Sequence, residues 1–233
     1  MAEEVSPVVT YKVYGRYALF TDPVSKLGGD KFSYQVPTYE ALKGITKSIY
    51  WKPSFIWVIE KVRVMKRIRT ESKNFKPLKL GGGNGLASYT YLRDAEYQVQ
   101  ARLRWNEHLP QYAHDRNLRK HIEQAIRHLE VGGRRDICLG ARECQGYVEP
   151  CLFGEGKSEL DNDGQLALGV MFHGFDYPDE TGKNELVTRL WNPVMNNGVI
   201  EFLPPEACII RKIVRDMQPK AWKNKSPKEG DNT

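Results

Sequence analysis

One segment constrains this chain more than any other. From Ala95 to Trp105 apolar and polar residues alternate without interruption. Ala95, Tyr97, Val99, Ala101, Leu103 and Trp105 fall on one side, and Glu96, Gln98, Gln100, Arg102 and Arg104 on the other. A period of two is that of a strand with one buried face, because successive side chains point to opposite faces of a sheet. Such a strand needs neighbours and a layer over its apolar face, and the sequence offers both. Val9, Tyr11 and Val13 alternate with Thr10 and Lys12 in a strand running toward Phe20. Phe55 to Arg69 reads as a long strand in which Val62, Val64 and Ile68 point one way and Lys61, Arg63, Arg67 and Arg69 the other. A first helix opens at Thr38 as N-cap, carries Ala41, Leu42, Ile45 and Ile49 on one face, and stops before Lys52-Pro53, since the residue preceding a proline avoids the α region. A second starts at Asp115 as N-cap, places Leu118, Ile122, Ala125, Ile126 and Leu129 at helical spacing, and closes at Gly132-Gly133. Ile137, Leu139 and Ala141 then suggest a strand extended to Val148 that includes Arg142.

The order over residues 8 to 150 is therefore β-α-β-β-α-β, the split βαβ arrangement. The predicted class is α+β. A ferredoxin-like (RRM-like) domain over 1–150 is followed by a small antiparallel β-sheet domain over 151–218, with strand candidates at 168–172, 185–191 and 198–202. The 219–233 tail, with Lys220, Lys223, Lys225 and Lys228 among polar residues, is predicted to be disordered. Turn signals stand at Asp22-Pro23 and Gly28-Gly29-Asp30. The glycine-rich run Gly81 to Gly85 lacks the following Lys-Ser/Thr of a P-loop. It reads as a connection between strands, with backbone approach to a nucleic-acid phosphate as the sharper alternative.

Composition narrows the partners. Lys and Arg number 35 against 29 Asp and Glu, a net charge of +6, which permits a polyanionic ligand without requiring one. The longest aliphatic and aromatic run, Phe55 to Ile59, is far below the roughly 18 residues of a membrane span, and the acidic start Met1-Ala2-Glu3-Glu4 has no apolar region, so a cytoplasmic location is expected. Cys138, Cys144, Cys151 and Cys208 form no CxxC pair and read as reduced thiols. The five histidines match no zinc spacing and the acids form no D-x-D cluster, so no metal and no cofactor is expected.

Metal-free RNA cleavage needs only an imidazole, a cation and a group that orients the 2′-hydroxyl. On the second helix His121 sits at the shoulder of the apolar stripe, half shielded, while Lys120 points away from the core. That pairing is also what a solvated helix face looks like, and Tyr50, at the end of the first helix, also reads as an ordinary rim aromatic. Arg134 and Arg135 after the second helix, Arg142 beyond them, and Lys61, Arg63, Arg67 and Arg69 could form a basic track for RNA, with Tyr34, Tyr39, Tyr89, Tyr91, Trp51 and Trp57 interleaved. The alternative is core aromatics and ordinary surface charge. The signature of a standard RRM is absent.

Longer strings add a resemblance. Tyr17 to Pro23, Ser33 to Thr38, Ala41 to Ile45, Ser48 to Pro53, Gly132 to Asp136, Leu139 to Cys144, Met171 to Phe175 and Val194 to Gly198 are together similar to the CRISPR-associated RAMP-superfamily protein of type I-C (Dvulg subtype) systems, over about residues 8 to 220. The resemblance implies a ferredoxin-like domain followed by a small antiparallel sheet. It implies an endoribonuclease that cuts the repeat hairpin of precursor CRISPR RNA at the 3′ base of the stem without a metal. The cut leaves a 2′,3′-cyclic phosphate, and the protein stays on the 5′ handle as a subunit of the interference complex. By motif, the family's catalytic tyrosine, lysine and histidine fall on Tyr50, Lys120 and His121. Two other readings stay open: a non-catalytic subunit that caps the 5′ handle, and a metal-dependent DNA nuclease, with non-specific double-stranded DNA as a further possible partner.

Overall fold

The structure, a computed structural model, describes residues 6–21, 29–78 and 81–220. The acidic N-terminal residues, the Asp22-Pro23 and Gly28 turn signals and the lysines at 223, 225 and 228 lie outside the described residues. The elements are, in chain order, β1 (Val8–Ala18), β2 (Lys31–Phe32), α1 (Tyr39–Ile49), β3 (Phe55–Val64), β4 (Thr70–Phe75), β5 (Ala87–Trp105), α2 (Leu118–Glu130), β6 (Ile137–Cys138) and β7 (Gln145–Pro150). They continue with β8 (Gln165–Ala167), β9 (Met171–Asp176), α3 (Pro178–Thr181), β10 (Glu185–Trp191), β11 (Val194–Asn196), β12 (Val199–Glu201) and β13 (Ile210–Asp216). Among the described residues no helix is long and apolar enough to cross a membrane.

The architecture is mixed α/β and dominated by antiparallel pairing. The main sheet runs β6-β7-β1-β5-β3-β12-β11-β8, with β2 and β4 also bonded to β5. β5 is its central member. Its second half pairs antiparallel with β1 on one side, Val9 to Ala101 and Val13 to Tyr97, and with β3 on the other, Phe55 to Trp105 and Val64 to Tyr97. Asp94, at φ 53°, breaks the strand's regular backbone, and the half before it pairs with β4 in a long hairpin closed by the glycine-rich run. Tyr97, Val99, Ala101 and Leu103 are all buried, as their alternation requires. α1 packs on β3, and α2 on β1 and β7. The Tyr11 hydroxyl, 2.7 Å from the Thr46 hydroxyl, joins β1 to α1 inside this layer.

Several expectations need correction. β3 ends at Val64, so Arg67 and Arg69 lie beyond the strand. A register shift between Ile59 and Lys61 keeps both Ile59 and Val62 on the apolar side. The opposite face of β3 and β5 is not open to solvent where the basic track was expected. Arg63 is 6% exposed, and its guanidinium donates to Gln98 Oε1 (3.3 Å), Glu155 O (3.2 Å), Gly156 O (3.0 Å) and Asp161 Oδ1 (2.8 Å). Its cross-strand partner Gln98 donates to Glu155 O at 2.6 Å and accepts from Gly154 N at 2.9 Å. The two side chains clamp residues 154–161 across the sheet, so a buried charge finds its partners inside the protein rather than on a phosphate.

Arg142 lies in the loop between β6 and β7, not in a strand. The sheet also continues past residue 150. β12 pairs with β3, and β11 and β8 follow it, so the boundary expected there does not divide the sheet. Among the described residues β9, β10 and β13 form a separate three-stranded sheet. The backbone of Lys220, at the start of the predicted tail, donates to Asp179 Oδ1 at 2.6 Å.

Removing a charged partner from a buried network leaves the others unpaired and should cost about 3 kcal/mol. Arg63→Ala should therefore lower the urea midpoint strongly, while Arg67→Ala, at a mostly exposed side chain, should change stability by less than about 0.5 kcal/mol. Equal midpoints for the two variants would contradict the clamp.

Candidate active site

The site is built where α1 ends and α2 begins. Tyr50 is the C-cap of α1. Its backbone is extended (φ −158°, ψ 137°) and its N–H donates to Thr46 O. The Trp57 indole N–H donates to the Tyr50 carbonyl at 2.7 Å, which ties the cap to β3. The end of α2 closes the other side. Gly132 and Gly133 take φ of 85° and 102°, a left-handed turn that glycine makes at little cost. The chain doubles back so that Arg134 N and Arg135 N donate to Ser48 O at 3.2 and 3.0 Å. Orphan carbonyls at the end of α1 are thereby satisfied, and Arg134 is carried to the side of Tyr50.

The start of α2 differs from its predicted form. Asn117, not Asp115, is the N-cap, with its side chain accepting from Lys120 N. The buried stripe is His121, Ala125 and Leu129, whereas Ile126 is 43% exposed. The helix is thus rolled toward His121, which is fully buried rather than half shielded. The reason is aromatic packing. The His121 ring lies 5.1 Å from Phe55, 5.9 Å from Trp105 and 6.0 Å from Tyr50, centroid to centroid.

Both ring nitrogens of His121 are engaged. Nε2 lies 2.7 Å from the Asp115 carbonyl oxygen and Nδ1 lies 2.9 Å from the Tyr50 hydroxyl. A carbonyl only accepts, so Nε2 carries the proton and neutral Nδ1 accepts from the phenol. Asp115 closes the short 3₁₀ turn Pro110–Asp115, and its carboxylate receives Lys120 Nζ at 2.6 Å and the Ser54 hydroxyl at 3.2 Å. This aspartate was legible in the sequence only as a helix cap. Its link to Lys120 and His121 depends on the turn before α2, which no residue pattern announced. His128 also stacks on the Tyr50 ring, at 5.5 Å and 18°.

Electrostatics follow from this packing. Burial lowers the His121 pKa, against the opposing pull of the Asp115 carbonyl and carboxylate, and favours the neutral imidazole. Burial and the Asp115 charge raise the Tyr50 pKa, while the Arg134 charge lowers it, leaving a protonated phenol. Burial alone would raise the Asp115 carboxyl, but Lys120, His121 and Ser54 outweigh it and hold it below the usual carboxylate range.

The structure thus brings Tyr50, Lys120 and His121 together. Lys120 is half exposed, while Tyr50 and His121 are covered. The predicted basic residues do not gather in the same way. Lys61 pairs with Glu201 at 2.6 Å, Arg63 is buried, and Arg67 pairs with Asp163 at 3.2 Å. Arg69, Arg134, Arg135 and Arg142 are exposed, and of these Arg134 is the one whose charge is felt at Tyr50. A cavity of about 640 Å³, lined in part by Ile56, Val58, Arg102, Arg104 and Leu118, includes Trp105, whose ring packs on His121. Among the described residues no group of three or more His, Cys, Asp or Glu side chains could hold a metal ion.

Comparison with known proteins agrees across most of the chain. Residues 8–203 match the family of CRISPR-associated protein (Cas_Cas5). A curated relative from Mannheimia succiniciproducens, named CRISPR pre-crRNA endoribonuclease Cas5d, is 31% identical over an alignment spanning 82% of this chain and 93% of its own length. A second of the same name from Thermus thermophilus is 29% identical and spans 76% and 77%. A solved CRISPR-associated protein superposes with a TM-score of 0.77 at 32% identity, covering 91% of this chain and all of the other. A functionally uncharacterized protein from Streptococcus mutans superposes at 0.74 with 36% identity, covering 89% and 98%. The match holds all of the main sheet and both helices that build the site, and the chain belongs to the CRISPR-associated Cas5d family of type I-C systems.

Proposed function

We propose that this chain is the endoribonuclease that cuts the repeat hairpin of precursor CRISPR RNA. It cuts at the 3′ base of the stem by attack of the ribose 2′-hydroxyl, without a metal. It then holds the 5′ handle as a subunit of the type I-C interference complex. The strands β1, β3, β5 and β7 with α1 and α2 serve as a ferredoxin-like RNA-binding core in this reading. The single observation that carries it is the 2.9 Å contact between the Tyr50 hydroxyl and His121 Nδ1, with Lys120 on the same helical turn.

The chemistry follows from the proton positions. Tyr50 is protonated and hydrogen-bonded to a neutral imidazole, so it acts as a relay. It takes the 2′-hydroxyl proton while its own proton passes to His121 Nδ1. The 2′-oxygen bonds to the adjacent phosphorus, the bond to the 5′-oxygen breaks, and the products are a 2′,3′-cyclic phosphate and a 5′-hydroxyl. Lys120 supplies positive charge to the crowded phosphorane, and Asp115 holds both the lysine and the histidine in register. Arg134 anchors a phosphate beside Tyr50. The covered state of Tyr50 requires RNA docking to expose its hydroxyl.

That same covering favours a second reading. A buried histidine with both nitrogens satisfied is also what a structural core histidine looks like, and it suits a subunit that caps the 5′ handle without cutting.

Cleavage of the repeat RNA in EDTA by the purified chain separates these readings. The nuclease reading expects a cyclic-phosphate end, and no cut when the scissile nucleotide is 2′-deoxy. His121→Ala should lower the rate at least about 10²-fold while leaving binding of uncut RNA intact. An inert wild type that still binds the repeat would establish the capping role. Activity seen only with added Mg²⁺ or Mn²⁺, on DNA as well, would establish the metal-dependent nuclease.

For binding, Arg134→Ala should reduce the slope of log affinity against log salt by about one phosphate contact, whereas Lys61→Ala, already paired with Glu201, should leave it unchanged. The reverse pattern would move the RNA path to β3.

A further inference from the structure

We infer that His128 is the general acid of this site, the group that protonates the departing 5′-oxygen. The inference rests on the nuclease reading above and goes beyond it. Transesterification needs two proton transfers, one from the 2′-hydroxyl and one to the 5′-oxygen. The Tyr50–His121 relay accounts for the first. It cannot serve the second directly. His121 Nε2 is tied to the Asp115 carbonyl and Nδ1 to Tyr50, so a proton on this buried ring returns only through the phenol, on the side of the attacking oxygen. In an in-line displacement the leaving oxygen lies on the opposite side of the phosphorus. Lys120, paired with Asp115 at 2.6 Å, is the charge that this reading places on the phosphorane.

His128 remains. It lies two turns along α2 from His121 on the same flank and stacks on the ring of Tyr50, 5.5 Å away and 18° from parallel. It is partly exposed, and its ring makes no hydrogen bond to a described residue. A histidine ring carries an N–H that can be given to a leaving oxygen, which suits it to the role. Two histidines therefore contact the phenol: one buried and hydrogen-bonded to its hydroxyl as proton sink, one half-buried and stacked on its ring. In the balanced step the His128 N–H proton goes to the 5′-oxygen as the P–O5′ bond breaks, and the proton held at His121 later returns to solvent.

A bridging-sulfur substrate isolates this step, because a thiolate leaves without being protonated. The full chain would be compared on repeat RNA carrying oxygen or sulfur at the scissile 5′ position. His128→Phe preserves a ring on Tyr50 and removes the nitrogens. It should cut the oxygen substrate at least about 10²-fold more slowly than wild type, and the sulfur substrate within about threefold of wild type. His121→Ala, lacking the proton sink, should be slow on both. A His128→Phe protein that cuts the oxygen substrate at the wild-type rate would show a packing ring only, and one equally slow on both substrates would show that His128 is not the acid. Either result overturns the inference while leaving the nuclease reading in place. A wild type inert on both substrates overturns that reading itself, and this inference with it.

Discussion

The fold depends on the pairing of β5. Its 19 residues bond to β1 and β3 over one half and to β4 and β2 over the other, so every other strand of the main sheet takes its position directly or indirectly from this one. The register is fixed by burial. A shift of one residue would turn Tyr97, Val99, Ala101 and Leu103 outward and place Gln98, Gln100 and Arg102 against the helices. β1 and β3 offer matching apolar faces, Tyr11 and Val13 on one side, Phe55, Trp57 and Ile59 on the other, and α1 and α2 cover the surface that results.

Buried charge binds the C-terminal half of the chain to this sheet. Arg63 and Gln98 grip the 154–161 segment from the face opposite the helices. Lys43, 2% exposed on α1, pairs with Glu180 of the short α3. Arg189 of β10 donates to Asp176 and to His173, and His173 stacks on Tyr39 at the start of α1. Desolvated charges are costly when unpaired, so none of these segments can leave without exposing the loss. Burial and the neighbouring Arg189 push His173 down to a pKa of about 4, so it stays neutral in the network at physiological pH.

The same layer explains the placement of the site. A helix C-terminus leaves carbonyls without partners and a helix N-terminus leaves N–H groups without them. At the end of α1 the unmet carbonyls draw in the Gly132-Gly133-Arg134-Arg135 turn, and at the start of α2 Asn117 meets the first N–H groups. Capping of the two termini brings together a phenol, two imidazoles, an ammonium and a guanidinium. The aromatic wall of Phe55 and Trp105 then covers the His121 ring, and this burial lowers its pKa.

The sequence by itself determined the elements and their faces. The alternation at 95–105 marked the central strand, Thr38 and Pro53 bounded α1, and the helical spacing at 118–129 with two glycines after it marked α2. Periodicity and capping are local, and local physics is written in neighbouring residues. Strings such as Ser48 to Pro53 and Gly132 to Asp136 also carried the family. Only the tertiary structure decided which polar residues face water. Arg63 lies on the face its parity assigns, yet a distant segment covers that face. Ile126 continues the apolar pattern of α2, yet His121 takes the core position because three aromatic rings from other elements surround it. Asp115 and His128 acquired their places for the same reason. Their partners are far away in the chain or are set by a turn without a pattern, and burial depends on what arrives from elsewhere in space.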